Sequence, residues 1–199
     1  WVISTIPVTD LICMPDRGVG YQDVSTAISS LRYRSLRFLN ILIDKAEIGR
    51  NTWTYIPDGK YIMTRIQEPN KRSPHNAPDG KTSLMLEIPC SYKGEIWNMQ
   101  DDLLFSRCID DLFKLGIDIK DRVIDYFYTA ERHAYPIYHL DYKHHLNNLL
   151  SRVDSIKNIH TCGRNGLFRY IFMDRAMEMG FDAATIVDGK KAKLSNVKN

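Results

Sequence analysis

The period of apolar and polar positions changes several times along the chain, and each change predicts an element. Trp1–Ile6 is short, rich in β-branched residues and stopped by Pro7, which predicts a buried strand. Between Gln22 and Leu31, the residues Val24, Ala27, Ile28 and Leu31 follow i, i+3, i+4, i+7, the spacing of a short amphipathic helix. Ser35–Asp44 is apolar without a clear period; its neighbours are strands, and it is expected to be one too. Thr52–Ile56 and Tyr61–Gln67 read as strands joined by Pro57-Asp58-Gly59-Lys60, where Pro presets φ and Gly permits the turn. Glu68–Gly80 holds three prolines and no apolar period, so a loop is expected, closed by Pro78-Asp79-Gly80-Lys81 before a strand over Thr82–Ile88.

The second half alternates helices with one long strand. Asn98 is the expected cap of a helix whose first turn carries Asp101 and Asp102, favourable at the positive dipole end. Its buried face is Leu104, Cys108, Leu112 and Leu115, and Gly116 stands at the C′ position. Arg122–Ala130 is a strand of Tyr, Phe, Val and Ile that runs into Tyr135-Pro136-Ile137-Tyr138. Asp141 opens a helix with Leu146, Leu149, Leu150 and Val153 on one face, and Lys190–Asn199 reads as a frayed tail. Strands joined by tight turns and grouped before helices define an α+β class, an antiparallel mixed sheet covered by helices.

Composition narrows the function classes. The 199 residues suffice for a core without disulfide or metal staples. A net charge of +3, with basic and acidic residues interspersed, is too mild for a nucleic-acid footprint. No apolar run approaches the length of a membrane span. The chain opens on Trp1 in an apolar run with no basic region or cleavage site, as though entered mid-strand. Cys13, Cys90, Cys108 and Cys162 contain no C-x-x-C pair, so neither a zinc site nor a redox pair is expected. Such sparse cysteines fit reduced thiols in a cytoplasmic protein, with Cys108 a core thiol. His133, His139, His144 and His145 lie close in sequence, but without H-E-x-x-H spacing they read as a solvated helix face.

The chemistry concentrates near the carboxy terminus. A short strand over Asn158–Cys162 leads into a Gly163-Arg164-Asn165-Gly166 turn, and a helix is expected to start near Met173. Met173, Ala176, Met177, Gly180, Ala183, Ala184 and Val187 share one stripe, whose small residues permit close approach to a sheet or flat ligand; Met173, Met177 and Met179 otherwise read as core filler. The helix amino end offers free N–H groups and a positive dipole end, with Arg164 and Arg169 just ahead. Together these suit an anionic or hydrogen-bond-accepting group of a cofactor.

Gly163-Arg164-Asn165-Gly166-Leu167-Phe168-Arg169-Tyr170, followed by Met173-Asp174, resembles the carboxy-terminal flavin motif of the FAD-dependent amine oxidase and protoporphyrinogen oxidase-like proteins, to which UDP-galactopyranose mutases are related. Val2-Ile3-Ser4-Thr5 with Pro7, Arg65-Ile66-Gln67, Ser73-Pro74, Lys81-Thr82 with Leu86-Glu87, and Ala134–Tyr138 with Tyr142 are similar to the same group. The resemblance spans almost the whole chain, and its terminal motif is the most specific part.

The resemblance implies a flavoprotein in which a Rossmann-like FAD domain carries an inserted substrate domain. Residues 1–11 would end the FAD domain, 12–157 form the substrate domain, 158–187 return as the FAD domain's terminal strand and helix, and 188–199 form a tail. Gly163 and Arg164 would then lie along the ribityl–phosphate region of FAD, and the amides around Met173 and Asp174 against the isoalloxazine pyrimidine edge. Arg65, Tyr135, Tyr138 and Tyr170 would line the side of a small-molecule substrate; no catalytic acid or base is assigned. Phe168-Arg169-Tyr170 departs from the mutases' Tyr-Lys-Tyr. The G-x-G-x-x-G that holds the FAD pyrophosphate is missing, and Gly18-Val19-Gly20 reads as a loop. The chain is therefore expected to be the carboxy-terminal portion of an FAD-dependent oxidoreductase, inactive by itself and completed by an amino-terminal FAD-binding portion. A flavin-dependent sugar-nucleotide mutase and a non-catalytic binding domain stand as alternatives.

Overall fold

A computed structural model describes residues 1–14 and 24–189. Gly18-Val19-Gly20, the start of the helix expected from Gln22, and Lys190–Asn199 lie outside the described residues. The elements run β1 (Val2–Ser4), α1 (Val8–Ile12), α2 (Ser25–Ser30), β2 (Arg32–Ile43), β3 (Trp53–Tyr55), β4 (Arg65–Gln67), β5 (Thr82–Cys90), α3 (Glu95–Asn98), α4 (Asp101–Lys114), β6 (Val123–Ile137), α5 (Tyr142–Asp154), β7 (Ile159–Thr161), α6 (Gly163–Gly166) and α7 (Met173–Val187). This is the expected α+β class: a five-stranded sheet in the order β3-β4-β5-β2-β6, and a small sheet in which β1 pairs β7 in parallel. The chain divides into two compact units, one of Trp1–Tyr33 and Tyr135–Asn199, the other of Arg34–Ala134.

In the unit Arg34–Ala134, the register places Leu39 opposite Leu86 and Leu86 opposite Ile66. These side chains, with Ile41, Ile43, Leu84 and Ile88, form one apolar sheet face, packed with Leu104, Cys108 and Leu112 of α4. Alternation of side chains puts Tyr55, Arg65, Glu87 and Phe38 in line across the opposite face. Gly116 closes α4 as expected: at φ +81° it lets its own N–H reach Phe113 O and that of Ile117 reach Leu112 O, both at 2.9 Å.

Asn98 does not cap α4. It ends the separate turn α3, its Nδ2 donates to Lys93 O at 2.8 Å, and Gln100 precedes the helix. The cause is Arg37 on β2, which is buried and donates to Ile96 O (3.2 Å) and Met99 O (2.7 Å) and pairs with Asp101. Carbonyls satisfied by this guanidinium need no continuing helix, and Met99 turns extended. The loop over Glu68–Gly80 contains two single 3₁₀ turns, and only Arg65–Gln67 of the expected Tyr61–Gln67 strand is paired.

In the other unit, Val8, Leu11, Ala27, Leu31, Leu149, Val153, Ile159 and Phe168 form a core joining α1, α2, α5 and β7. Helix α7 begins at Met173 as expected, but of the expected stripe only Ala183 is buried; Met173, Ala176, Met177, Gly180 and Ala184 are exposed. Met179 and Ala183 are its buried residues, packed with Cys162, Leu167 and Ile171. Met173 (83% exposed), Met177 (64%) and Phe181 (71%) face solvent, so of the three methionines only Met179 is core filler. All four cysteines are free, with Cys90, Cys108 and Cys162 buried. Among the described residues no helix is long and apolar enough to cross a membrane, and no group of three His, Cys, Asp or Glu is placed to hold a metal ion.

Candidate functional site

The Gly163-Arg164-Asn165-Gly166 segment leaves β7 as the single helical turn α6, not as an open turn. Gly163 stands at φ +80°, a left-handed conformation that a side chain disfavours. Gly166 is required for a different reason: an added Cβ would lie 2.7 Å from Thr161 Oγ1 and 3.4 Å from Ser4 O, so the turn packs flat on β1 and β7. Between them, Asn165 Oδ1 is buried and has no hydrogen-bond partner among the described residues. A buried acceptor in this state costs about 1–3 kcal/mol, and a bound donor would relieve it.

Phe168 then turns the chain, at φ +49° and fully buried, with its ring edge-on to Tyr33 at 4.9 Å. This throws the next residues back over α6. The Tyr170 N–H donates to Tyr138 Oη at 2.8 Å, and the rings of Tyr170 and Tyr135 stack at 5.6 Å. The Arg164 guanidinium lies 5.1 Å from the Tyr135 centroid and 4.8 Å from that of Tyr170, while Nη1 donates to Ile171 O at 3.4 Å. Burial pushes the Tyr170 phenol above its ordinary pKa, and the Arg164 charge offsets part of that.

Residues expected to serve a cofactor (Arg164) and a substrate (Tyr135, Tyr138, Tyr170) thus form one cluster. It sits immediately before α7. Phe172 precedes that helix without a side-chain cap, and Ala176 N–H is the first to bond back, to Phe172 O at 3.0 Å. The amides of Met173, Asp174 and Arg175 therefore have no partner within the helix and aim the positive end of a 15-residue dipole outwards. Such an end stabilises negative charge or donates hydrogen bonds to a carbonyl edge, and the adjoining face of Met173, Met177 and Phe181 offers an apolar platform. Periodicity places Met173 and Met177 on one stripe but does not include Phe181; the orphaned Asn165 oxygen and the left-handed Phe168 have no sequence signal beyond the glycines around them.

Arg65 lies in the other unit. It pairs with Glu87, its Nη1 donates to Tyr55 Oη at 3.4 Å, and its guanidinium stands 5.7 Å from the Tyr55 and Trp53 rings. Glu87 is buried and also accepts from Gln67 Nε2 at 3.0 Å.

No protein-family model matches the chain, and no curated protein matches it. Solved structures do. Reduced UDP-galactopyranose mutase aligns with a TM-score of 0.81 at 22% identity, over 95% of this chain and 41% of that one. A protein assigned as a protoporphyrinogen oxidase from Exiguobacterium sp. 255-15 gives 0.68 at 15% identity, over 95% and 40%. Wild-type putrescine oxidase bound to putrescine gives 0.61 at 13% identity, over 95% and 42%. The chain thus has the fold of part of each of these three proteins. The chain spans about two fifths of the length of these structures.

Proposed function

We propose that the chain is the carboxy-terminal part of an FAD-dependent oxidoreductase that takes hydride from a small molecule at a C–N or C–C bond. The observation that carries this reading is the uncapped amino end of α7 beside a glycine turn whose Asn165 Oδ1 lacks a donor among the described residues. Both features fit a flavin: the amides of Met173 and Asp174 would meet its hydrogen-bond-accepting edge, and a ribityl hydroxyl would supply the donor that Asn165 lacks. FAD brings the redox chemistry; this chain's residues orient it and favour negative charge at one edge. Gly163 and Arg164 would flank the ribityl–phosphate portion, and Tyr135, Tyr138, Tyr170 and Arg65 the substrate side. The four free cysteines support a cytoplasmic location.

In this reading residues 1–11 and 158–187 belong to the FAD domain, 12–157 to the substrate domain and 188–199 to a tail. Val2 and Ile3 point to opposite faces of β1 and both are about half exposed. Parallel sheets are ordinarily covered on both faces, so this sheet calls for the amino-terminal FAD-binding portion. The chain alone should therefore bind FAD weakly and turn nothing over. The test is flavin content. Supplying an amino-terminal G-x-G-x-x-G portion should yield yellow protein with one FAD per chain. Stoichiometric FAD on the chain alone removes the claim of incompleteness, and colourless completed protein removes the flavin reading.

The agreement with the mutase over 95% of the chain supports a second reading, a redox-neutral isomerase of a sugar nucleotide. Conversion of a UDP-sugar by the reduced, completed protein without net electron transfer would select it. Completed protein that binds flavin but converts no amine, porphyrinogen or sugar nucleotide would be a binding domain.

A further inference from the structure

On the sheet face of the unit Arg34–Ala134, two guanidiniums stand against exposed rings, and only one has a carboxylate. Arg65 is committed to Glu87. Arg72 has no carboxylate partner among the described residues; its contacts are the Trp53 ring, at 4.7 Å from the centroid, and Gln67 Oε1, to which Nη2 donates at 3.2 Å. The orientation of that amide is forced from below. Glu87 accepts from Gln67 Nε2, since a carboxylate can only accept, and this turns Gln67 Oε1 towards Arg72. Glu87 (5% exposed) and Gln67 (7%) are both buried, so the relay that positions Arg72 is rigid.

A stacked guanidinium uses its flat face on the ring and keeps its in-plane N–H fork for hydrogen bonds. One N–H of the Arg72 fork goes to Gln67, and the side chain is otherwise open to solvent. Two arginines against one glutamate leave the patch with a positive charge, and Trp53 (46% exposed) and Tyr55 (63%) put aromatic surface beside it. We infer that Arg72, stacked on Trp53 with Tyr55 two residues along the same strand face, is a recognition site for an oxyanion, carboxylate or phosphate, carried on a ring. Arg72 binds the oxyanion; Gln67 and Glu87 are positioning residues; Arg65 neutralises Glu87 and so keeps the patch from repelling the ligand. Because the fork is held before the ligand arrives, little side-chain entropy is lost on binding.

The chain has tryptophan at positions 1, 53 and 97, so Trp1→Phe with Trp97→Phe leaves Trp53 as the reporter. Titration of this flavin-free protein with phenyl phosphate and with benzoate at constant ionic strength should change Trp53 emission saturably. Benzyl alcohol should not, and calorimetry on the unsubstituted chain should give the same affinities. The stronger of the two anions identifies the oxyanion type. Arg72→Gln should weaken binding about tenfold, the loss of a charge-assisted hydrogen bond. Lys93→Gln removes the same charge from a lysine that lies over Tyr92, and should leave binding unchanged. Equal losses in the two variants, binding of the neutral alcohol as tight as that of the anions, or no binding of either anion would overturn the assignment. None of these outcomes depends on flavin, so they stand independently of the flavin-content test.

Discussion

The backbone N–H of Tyr170 donates to the phenol oxygen of Tyr138 at 2.8 Å, across 32 residues of sequence. This bond ties the segment before α7 to the end of β6 and places the Tyr170 ring where Arg164 can stack on it. Tyr138→Phe keeps the ring and removes the acceptor. The variant should lose about 1 kcal/mol or less, since half-exposed backbone can turn to water. Urea unfolding checks this as a lower midpoint at unchanged slope. Arg164→Met should raise the Tyr170 pKa further, because the charge that offsets burial is gone. A ¹³C-tyrosine NMR titration of both proteins reads that shift directly.

Thiol chemistry separates the cysteines. Cys13 is exposed, whereas Cys90, Cys108 and Cys162 are buried. Native protein should therefore release about one equivalent of chromophore with an aromatic disulfide reagent, and denatured protein about four. Burial, with Asp111 adding to it, pushes the Cys108 thiol from 9.0 up to about 12. A raised folded-state pKa means that the neutral thiol favours folding fully below pH 9, and that this contribution is lost as pH rises towards 12. Cys108→Ala should thus be less stable at pH 8 through lost packing, while its deficit shrinks above pH 9. Urea midpoints at pH 8 and pH 10.5 test the sign; a deficit that grows with pH contradicts it.

Local sequence carried the elements whose signals are local. The Schellman end at Gly116 and the start of α7 at Met173 follow from glycine freedom and a restored helical period. It failed where a distant side chain decides. Asn98 has the chemistry of a cap, yet Arg37, 61 positions earlier, takes the carbonyls of Ile96 and Met99 and moves the helix start. For α7, periodicity says which residues share a face but not which face the protein covers, so the Met173–Met177 stripe was legible and its exposure was not. At the candidate site, the grouping of Arg164 with Tyr135 and Tyr170 depends on the Phe168 turn, whose left-handed φ no propensity assigns to phenylalanine. The Arg72 platform depends on strand register, which pairs Trp53 with Gln67 and Arg65 with Glu87.

Glu68 anchors the loop that follows β2. Buried at 3% exposure, its carboxylate accepts from Ile48 N (2.9 Å), Gly49 N (3.0 Å) and Thr82 Oγ1 (3.0 Å). Glu68→Gln puts an NH₂ where only donors face it, so at least one N–H loses its acceptor. A cost of about 1–3 kcal/mol is expected. Hydrogen exchange should locate it, with the Ile48 and Gly49 amides losing protection beyond the global change. Uniform loss of protection would mean that Glu68 acts elsewhere.

The α6 turn offers the sharpest steric test of the site. Gly166→Ala places a Cβ 2.7 Å from Thr161 Oγ1, closer than carbon and oxygen tolerate, and 3.4 Å from Ser4 O. Either the turn lifts from β1 and β7 or Thr161 gives way, and overpacking of this kind costs about 1–3 kcal/mol. Thr161 has limited freedom, because its hydroxyl donates to Gly166 O at 3.3 Å and its side chain is buried. Thr161→Ala alone should cost about 1 kcal/mol for that hydrogen bond. With the hydroxyl gone, the clash at residue 166 goes too, so the double variant should be more stable than the sum of the two losses predicts. A double-mutant cycle by urea unfolding measures this coupling. Strict additivity would show that the Gly166 requirement comes from the Ser4 carbonyl, and that β1, not β7, fixes the height of the turn on which Arg164 and Asn165 stand.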